Sequence, residues 1–362
     1  MNSKKIAVLC NYELLLERVG GMDHFFWMFD AKCKENGIQV DWFFPNQSSH
    51  GDYSKLTIFD SNYQNVENYF LGFCTQNQND YSYVITHFIE LCTPFFKKIK
   101  KISTAKIIAV DHNPRPIHGY PFKKKIEKKI KGFLFSKYIN QFIGVSNYTV
   151  SEIINDFGNH VKSKTNTIYN GVLIQDIKVR ADRKYSEPTF MVASHLRESK
   201  GIQDLIVAVS KLSSSILSGI RIDVFGDGPY KDFLVKSVQE YQLDSNFRFM
   251  GSQANLNSLY CQYDYMLQPS HMECFSLSIL ESLAANVPVV TTAVGGNKEA
   301  VVDGENGYIF EARDIDSLAE ILKKLYLGDK KIEKNTRSDI ENHFSLDRMV
   351  ENHLALLFTN KF

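Results

Sequence analysis

Two glutamates pose the first chemical question. Glu273 and Glu281 stand eight positions apart in the stretch PSHMECFSLSILESLAANVPVVTTAVGGNKE, Pro269–Glu299. Eight residues are a little over two helical turns, so carboxylates at that spacing on one helix point roughly the same way. Leu277, Leu280, Leu283 and Ala284 recur at helical spacing and predict a helix over 276–286. Glu273 then falls in the entry loop and Glu281 inside the helix. Free N–H groups at a helix start attract phosphate. Carboxylates accept hydrogen bonds from hydroxyls, and a pair of acceptors holds a cis-diol. The layout suits a phosphorylated ligand that carries hydroxyls. For the two carboxylates alone, surface glutamates on an ordinary amphipathic helix would be the plainer account.

Other stretches could serve the same ligand. Lys200-Gly201 precedes a predicted helix from Ile202, with His195 and Arg197 just before it. A guanidinium grips phosphate in a bidentate way, whereas an ammonium acts as a point charge. Gly20-Gly21 opens a predicted helix over 22–35, where adjacent glycines let backbone N–H groups approach a diphosphate. His112 follows a strand-like run, Lys106–Val110, and His87 follows another, Tyr83–Thr86. Polar residues just past a strand's C-terminal end are where doubly wound sheets keep their sites. Asp314-Ile315-Asp316 could suggest a metal, but Ser317 with Glu320 fits a capping box and makes the string a helix entry. Gly226-Asp227-Gly228-Pro229 lacks the third glycine of a dinucleotide fingerprint, since position 231 is Lys.

The elements that must position these residues alternate strand and helix. Ile6–Cys10, the glycine pair, a helix with Phe25, Phe26 and Phe29 inward, and Ile38–Phe44 make a βαβ unit. Strand-like runs recur at Gln141–Val145, Thr167–Tyr169, Phe190–Ala193, Arg221–Phe225, Phe247–Gly251, Tyr265–Leu267 and Val287–Thr292. A chain of 362 residues is long enough for two such domains. The charged, poorly periodic segment 174–188 is the expected linker. The net charge of +1 leaves no global field to recruit nucleic acid. Six cysteines without CxxC pairs favour a reducing compartment. The first apolar run is too short for a signal peptide or a membrane span, so a cytoplasmic protein is expected.

The series Pro269-Ser270, Glu273, Glu281, Ala284-Ala285, Pro288-Val289-Val290 and Gly295-Gly296 with Glu299 resembles the donor site of the family 4 retaining glycosyltransferases, of bacterial surface-polysaccharide type. Asn170-Gly171-Val172, Lys200-Gly201, the Gly226–Pro229 turn and Gly304–Phe310 are similar to further family stretches. Three positions depart from the pattern. Cys274 replaces a glycine, Asn113 an aspartate, and His195 stands where an arginine is usual, with Arg197 a substitute two residues later.

The resemblance implies the α/β GT-B fold, two Rossmann-like domains facing each other across a cleft. It implies an acceptor-binding domain over 1–182, a donor-binding domain over 183–344 and a helix over 345–362 that returns to the first. The expected chemistry moves a sugar from a UDP- or GDP-linked donor to a saccharide or lipid-linked saccharide, with no metal or other cofactor. Glu273, Lys200 and His112 would be the catalytic groups. Glu281 would hold the donor ribose, and Lys200 with Arg197 the phosphates. Cys274, Phe275, Ser276 and Leu277 would line the donor, with Gly20 and Gly21 closing on the diphosphate from the other domain. The pathway implied is cell-surface polysaccharide or glycolipid synthesis. A sugar-nucleotide epimerase and a non-catalytic nucleotide-sugar-binding partner subunit are the alternatives.

Two further stretches, FFKKIKKI over 95–102 and PFKKKIEKKIKGFLFSKY over 121–138, mix lysine clusters with Phe and Ile. Each is a solvated helix with one core face or an interfacial helix on an anionic cytoplasmic leaflet. The second reading would attach the protein peripherally to the membrane through Lys97–Lys101 and Lys123–Lys131.

Overall fold

Long apolar runs such as IAVLC and VDWFF cannot alternate inward and outward, so they demand sheets covered on both faces. The computed structural model, which describes residues 4–16, 19–77 and 80–358, has two such sheets. The first is built from β1 (Lys4–Cys10), β2 (Ile38–Phe44), β3 (Thr57–Asp60), β4 (Tyr83–His87), β5 (Lys106–Asp111), β6 (Gln141–Gly144) and β7 (Thr165–Thr167). The second contains β8 (Phe190–Ala193), β9 (Ile222–Phe225), β10 (Phe247–Gly251), β11 (Tyr265–Gln268), β12 (Val289–Thr292) and β13 (Gly307–Phe310). All pairings within them are parallel.

Their orders are β3-β2-β1-β4-β5-β6-β7 and β10-β9-β8-β11-β12-β13. Counted within each sheet, both begin 3-2-1-4-5-6, the Rossmann order. The order reverses beside the first strand, and the loops leaving the carboxyl ends there diverge to leave a crevice. In the first sheet these are the loops after β1 and β4. In the second they are the loops after β8 and β11.

The chain divides into one unit of Met1–Asn170 with Leu346–Phe362 and another of Gly171–Ser345. The boundary differs from the expected 182/183 because the segment read as a linker is bonded to the second unit. Arg180 N–H donates to the Ala285 carbonyl at 2.8 Å, and its guanidinium reaches Asp264 Oδ1 at 2.5 Å. Arg183 donates to the side chain and carbonyl of Asn286. A segment whose charges bond to a neighbouring element looks like a linker to any reading that sees only its polarity.

In the first unit the helix Gly21–Glu35 buries Phe25, Phe26 and Phe29, and packs against the last helix, Leu346–Ala355. The helix Ile315–Leu327 begins one turn earlier than expected. Asp314, not Ser317, is its N-cap, with Oδ1 accepting the Ser317 N–H at 3.0 Å. The Asp314-Ile315-Asp316 string is thus a helix entry, capped by Asp314 itself rather than by the expected Ser317 and Glu320. Among the described residues no cluster of three or more His, Cys, Asp or Glu is placed to hold a metal ion, and no helix is long and apolar enough to cross a membrane.

Candidate functional site

The second unit gathers its chemistry on the loops at the carboxyl edge of its sheet. The loop after β8 ends in the turn Glu198–Lys200, and the loop after β11 carries Glu273. These loops lie on either side of the point where the strand order reverses. Gly201 has φ +69, and a Cβ there would overlap the Pro269 carbonyl oxygen. Only glycine combines that backbone with so close an approach. The contact seats one loop on the other. His271 N–H donates to the Ser199 carbonyl at 2.8 Å, and His271 Nε2 lies 2.7 Å from Asp204 Oδ2 on the next helix, Ile202–Ser210.

This seating brings Lys200 Nζ to 2.6 Å from Glu273 Oε1. Gln268 Nε2 and Ser270 Oγ donate to the same oxygen at 2.8 and 2.9 Å. Three donors therefore fix one carboxylate oxygen and set the rotamer of the other. Ser270 and Gln268 are buried, so the support is dry and stiff. On the far side, Gly296 N–H donates to the Cys274 carbonyl at 2.8 Å, and a Cβ on Gly295 would overlap the Glu273 carbonyl. The Gly295-Gly296 turn is thus the backing of the Glu273 loop.

The expected helix runs Leu277–Ala284. Ser276 is its N-cap, yet its hydroxyl pairs with Gln268 at 2.8 Å and leaves the first turn without a side-chain cap. Such a start keeps N–H groups available to an anion. Leu277 is half-buried at that start. Cys274 and Phe275 turn inward, and Phe275 packs on Phe344 with ring centroids 5.3 Å apart. Glu281 is half-buried one turn in, where Tyr260 donates its hydroxyl to Oε2 at 2.9 Å. Burial outweighs that hydrogen bond and pushes the carboxyl up from 4.5 to about 7. Arg197 is exposed just before the Lys200 turn.

The first unit furnishes the equivalent edge differently. His112 follows β5, and its Nε2 lies 3.0 Å from Nδ1 of His87 at the end of β4. The two histidines weighed as rivals are hydrogen-bonded partners. Phe88 stacks on His112 with centroids 4.2 Å apart. Burial pulls His112 down from 6.5 to about 3, and His87 well below its ordinary value, so both rings are neutral near pH 7. Gly20 is the N-cap of helix Gly21–Glu35, and a Cβ on it would meet nothing within 4 Å. Its N–H is already donated to Asp23 Oδ2 at 2.9 Å. Asp23, fully buried, also accepts from the hydroxyls of Tyr12 at 3.0 Å and Tyr53 at 2.6 Å.

The sequence profile described as glycosyl transferases group 1 matches residues 174–342. Over that span the chain is similar to the group 1 glycosyl transferases. Over 177 residues it is 28% identical to N-acetyl-alpha-D-glucosaminyl L-malate synthase of Bacillus anthracis, a match spanning 48% of this chain and 46% of that protein. Over 213 residues it is 24% identical to the lipopolysaccharide core biosynthesis glycosyltransferase LpsE of Rhizobium meliloti, spanning 58% of this chain and 61% of that one. These matches cover about half of the first relative's length and three fifths of the second's. The fold extends the likeness to 98% of the chain. It superposes on Anabaena Alr3699/HepE, solved in complex with UDP and glucose, with a TM-score of 0.74 and 16% identity over 100% of that structure. The two Rossmann-like units are those of the GT-B class.

The matched span contains Arg197, Lys200, Glu273, Cys274, Phe275, Ser276, Leu277 and Glu281, while Gly20, Gly21 and His112 lie outside it. Sequence reasoning missed the residues that hold these in place. Gln268 and Ser270 adjoin the glutamate motif and could have been found as its polar flanks. Asp204 and Tyr260 pair with residues 67 and 21 positions away, and nothing local announces them.

Proposed function

We propose that the chain is a retaining, metal-independent glycosyltransferase. It moves a sugar from a nucleotide-sugar donor to a saccharide or lipid-linked saccharide in cell-surface polysaccharide or glycolipid synthesis. The observation that carries this reading is the Lys200–Glu273 pair at the strand-order reversal, backed by Gln268 and Ser270 beside an uncapped helix start. The relatives' names, a core-lipopolysaccharide transferase among them, and the neighbour solved with UDP and glucose support it and favour a UDP-linked donor.

On this reading Lys200, Arg197 and the N–H groups at the start of helix Leu277–Ala284 receive the donor diphosphate. Glu281 takes the ribose hydroxyls, and Glu273 offers its second oxygen to the donor sugar. The acceptor oxygen bonds to the anomeric carbon on the face from which the diphosphate departs. The bond from that carbon to the diphosphate oxygen breaks, and the acceptor proton passes to a phosphate oxygen. Charge gathers on the leaving phosphate, so fixed cations and N–H donors supply the main acceleration. Neutral His112 serves a sugar hydroxyl. The protein works in the cytoplasm, peripherally on an anionic membrane surface.

Thermal shift with UDP-, GDP-, ADP- and CMP-sugars, with and without EDTA, tests the donor reading. A ligand at 100 times its dissociation constant adds about 2.7 kcal/mol. A raised melting temperature with one nucleotide class, unchanged by EDTA, is expected. No shift with any donor from a cooperatively melting protein would sink it.

A further inference from the structure

The two lysine-rich stretches look alike in sequence and differ in packing. Helix Pro94–Ile102 buries Phe95, Phe96 and Ile99 in the core and turns Lys97, Lys98 and Lys101 to water. It is a solvated helix with a core face. Helix Phe122–Phe135 does the reverse with its large apolar residues. Phe122 is 80% exposed, Phe133 78%, Ile130 54% and Ile126 45%. At 100° per residue these four fall within one narrow sector, a continuous apolar stripe. Exposed lysines border it, Lys125 and Lys129 on one flank and Lys123 on the other. Glu127, the helix's one carboxylate, is drawn to Lys124 at 3.1 Å and Lys131 at 2.9 Å. Nothing acidic on the helix therefore offsets the basic rim.

Such a stripe between basic flanks has the shape and charge of a helix lying in a bilayer interface, apolar side in the acyl boundary and lysines at anionic headgroups. A second copy is a poor occupant, because two copies of this face would set lysines against lysines.

The inner side of the helix is wired to the loop that carries His112. Lys128, on this helix, reaches Asp156 Oδ2 at 3.0 Å and lies over the Tyr120 ring at 4.5 Å. Arg115 bonds the same Asp156 oxygen at 2.8 Å and Asp111 Oδ2 at 2.7 Å. Asp111 Oδ1 in turn accepts the Asn113 N–H at 3.0 Å. Arg115, Asp111 and Asp156 are all buried, where charge pairs are stiff and the loss of one partner is costly. Asp111 and Asn113 bracket His112.

We propose that Phe122, Ile126, Ile130 and Phe133 dock on an anionic lipid bilayer, and that the chain Lys128–Asp156–Arg115–Asp111 fixes the His112 loop when they do. The docking stands on the exposed stripe alone. Its meaning for catalysis rests on the reading of His112 as a sugar-site residue. A lipid-linked acceptor would then meet its site only where the helix is seated.

Sedimentation with vesicles tests the docking. The protein is expected to pellet with phosphatidylglycerol–phosphatidylcholine vesicles and far less with pure phosphatidylcholine. The double variant Phe122→Ser/Phe133→Ser and the double variant Lys125→Glu/Lys129→Glu should each weaken binding by roughly tenfold or more, the scale of losing two interfacial contacts. Lys97→Glu/Lys98→Glu, on the solvated helix, should bind almost as wild type. All these side chains are exposed, and retained melting temperatures confirm folding. Hydrogen exchange over 112–120 tests the coupling. It should slow on vesicles in the wild type and not in Lys128→Met, which still binds.

Wild type that ignores anionic vesicles, or a serine variant that binds as well as wild type, overturns the docking. So does a lipid-free dimer abolished by the serine changes, which would make a second copy the occupant. Equal exchange with and without vesicles overturns the coupling. None of these outcomes touches the nucleotide-sugar shift, so the donor reading stands or falls separately.

Discussion

The two sheets share a strand order and place their loops at the same topological point, yet furnish that point with contrary chemistry. The second sheet presents charge: Lys200 against Glu273, the Asp204 carboxylate hydrogen-bonded to His271, and Arg197 nearby. The first turns its charges inward, with Arg115 paired to buried Asp111 and Asp156, and presents neutral rings. His87 and His112 are bonded to each other and held neutral, Phe88 covers one of them, and the single carboxylate beside Gly20 is fully occupied by two tyrosines and a backbone amide. Topology decides where a doubly wound sheet puts its site, and side chains decide what the site can hold. A charged edge suits a diphosphate. An edge of neutral rings suits a polyhydroxyl acceptor.

The sharpest way to break this contrast is to remove the charge. Lys200→Ala should lower turnover by about 10²–10³-fold, the scale of losing one transition-state donor, with melting little changed. Equal turnover in a folded variant would strip the second sheet of its assigned role. The next effect lies on the acid side. His112 is held down to about 3, and His353 on the last helix, Leu346–Ala355, to about 4, each from 6.5, because both are buried. A depressed histidine contributes stability above pH 6.5 that is lost as the pH falls towards the folded value. His353 alone should therefore cost the first unit on the order of 3 kcal/mol between pH 6.5 and about 4, with His112 adding to the same limb. His353→Leu should flatten part of that limb in pH-dependent denaturant melts. An unchanged limb would show that the histidines do not differ in charge between folded and unfolded chains.

The smallest effect runs the other way. Glu281 is raised from 4.5 to about 7, so it favours the folded state below pH 4.5 and that contribution fades as pH rises to about 7. The change should be on the order of 3 kcal/mol. Glu281→Gln should remove it, melting higher than wild type at pH 8 while binding the donor less well. If the variant instead follows the wild-type curve, the buried carboxyl is not what titrates.

Legibility tracked locality. The glutamate motif could be read because its carboxylates, small-residue helix, strand and glycine turn follow one another within 31 residues. The alternation of strands and helices was plain for the same reason. The pairings that orient the motif cross the chain, as Asp204 with His271 does, and periodicity carries no trace of them. The segment 174–188 reads as a linker because arginines that bond to the second unit look no different in sequence from arginines in water. Two lysine-rich helices were indistinguishable until their phenylalanines could be assigned to core or surface.

The Lys200–Glu273 contact has a consequence for how the enzyme would part with its by-product. The ammonium is already held by an internal anion before any donor arrives, so phosphate binding is an exchange. Once the ammonium turns to phosphate, Glu273 keeps Gln268 and Ser270 but loses its counter-charge, and on the donor reading the hydroxyls of the transferred sugar are what it gains in return. The bare nucleoside diphosphate takes the ammonium without giving the carboxylate that compensation, which weakens its hold. Product inhibition should therefore be weak in the wild type. In Glu273→Gln, which has no displaced charge to satisfy, the affinities for free diphosphate and for sugar-bearing donor should draw together, a difference that competition titrations would read directly.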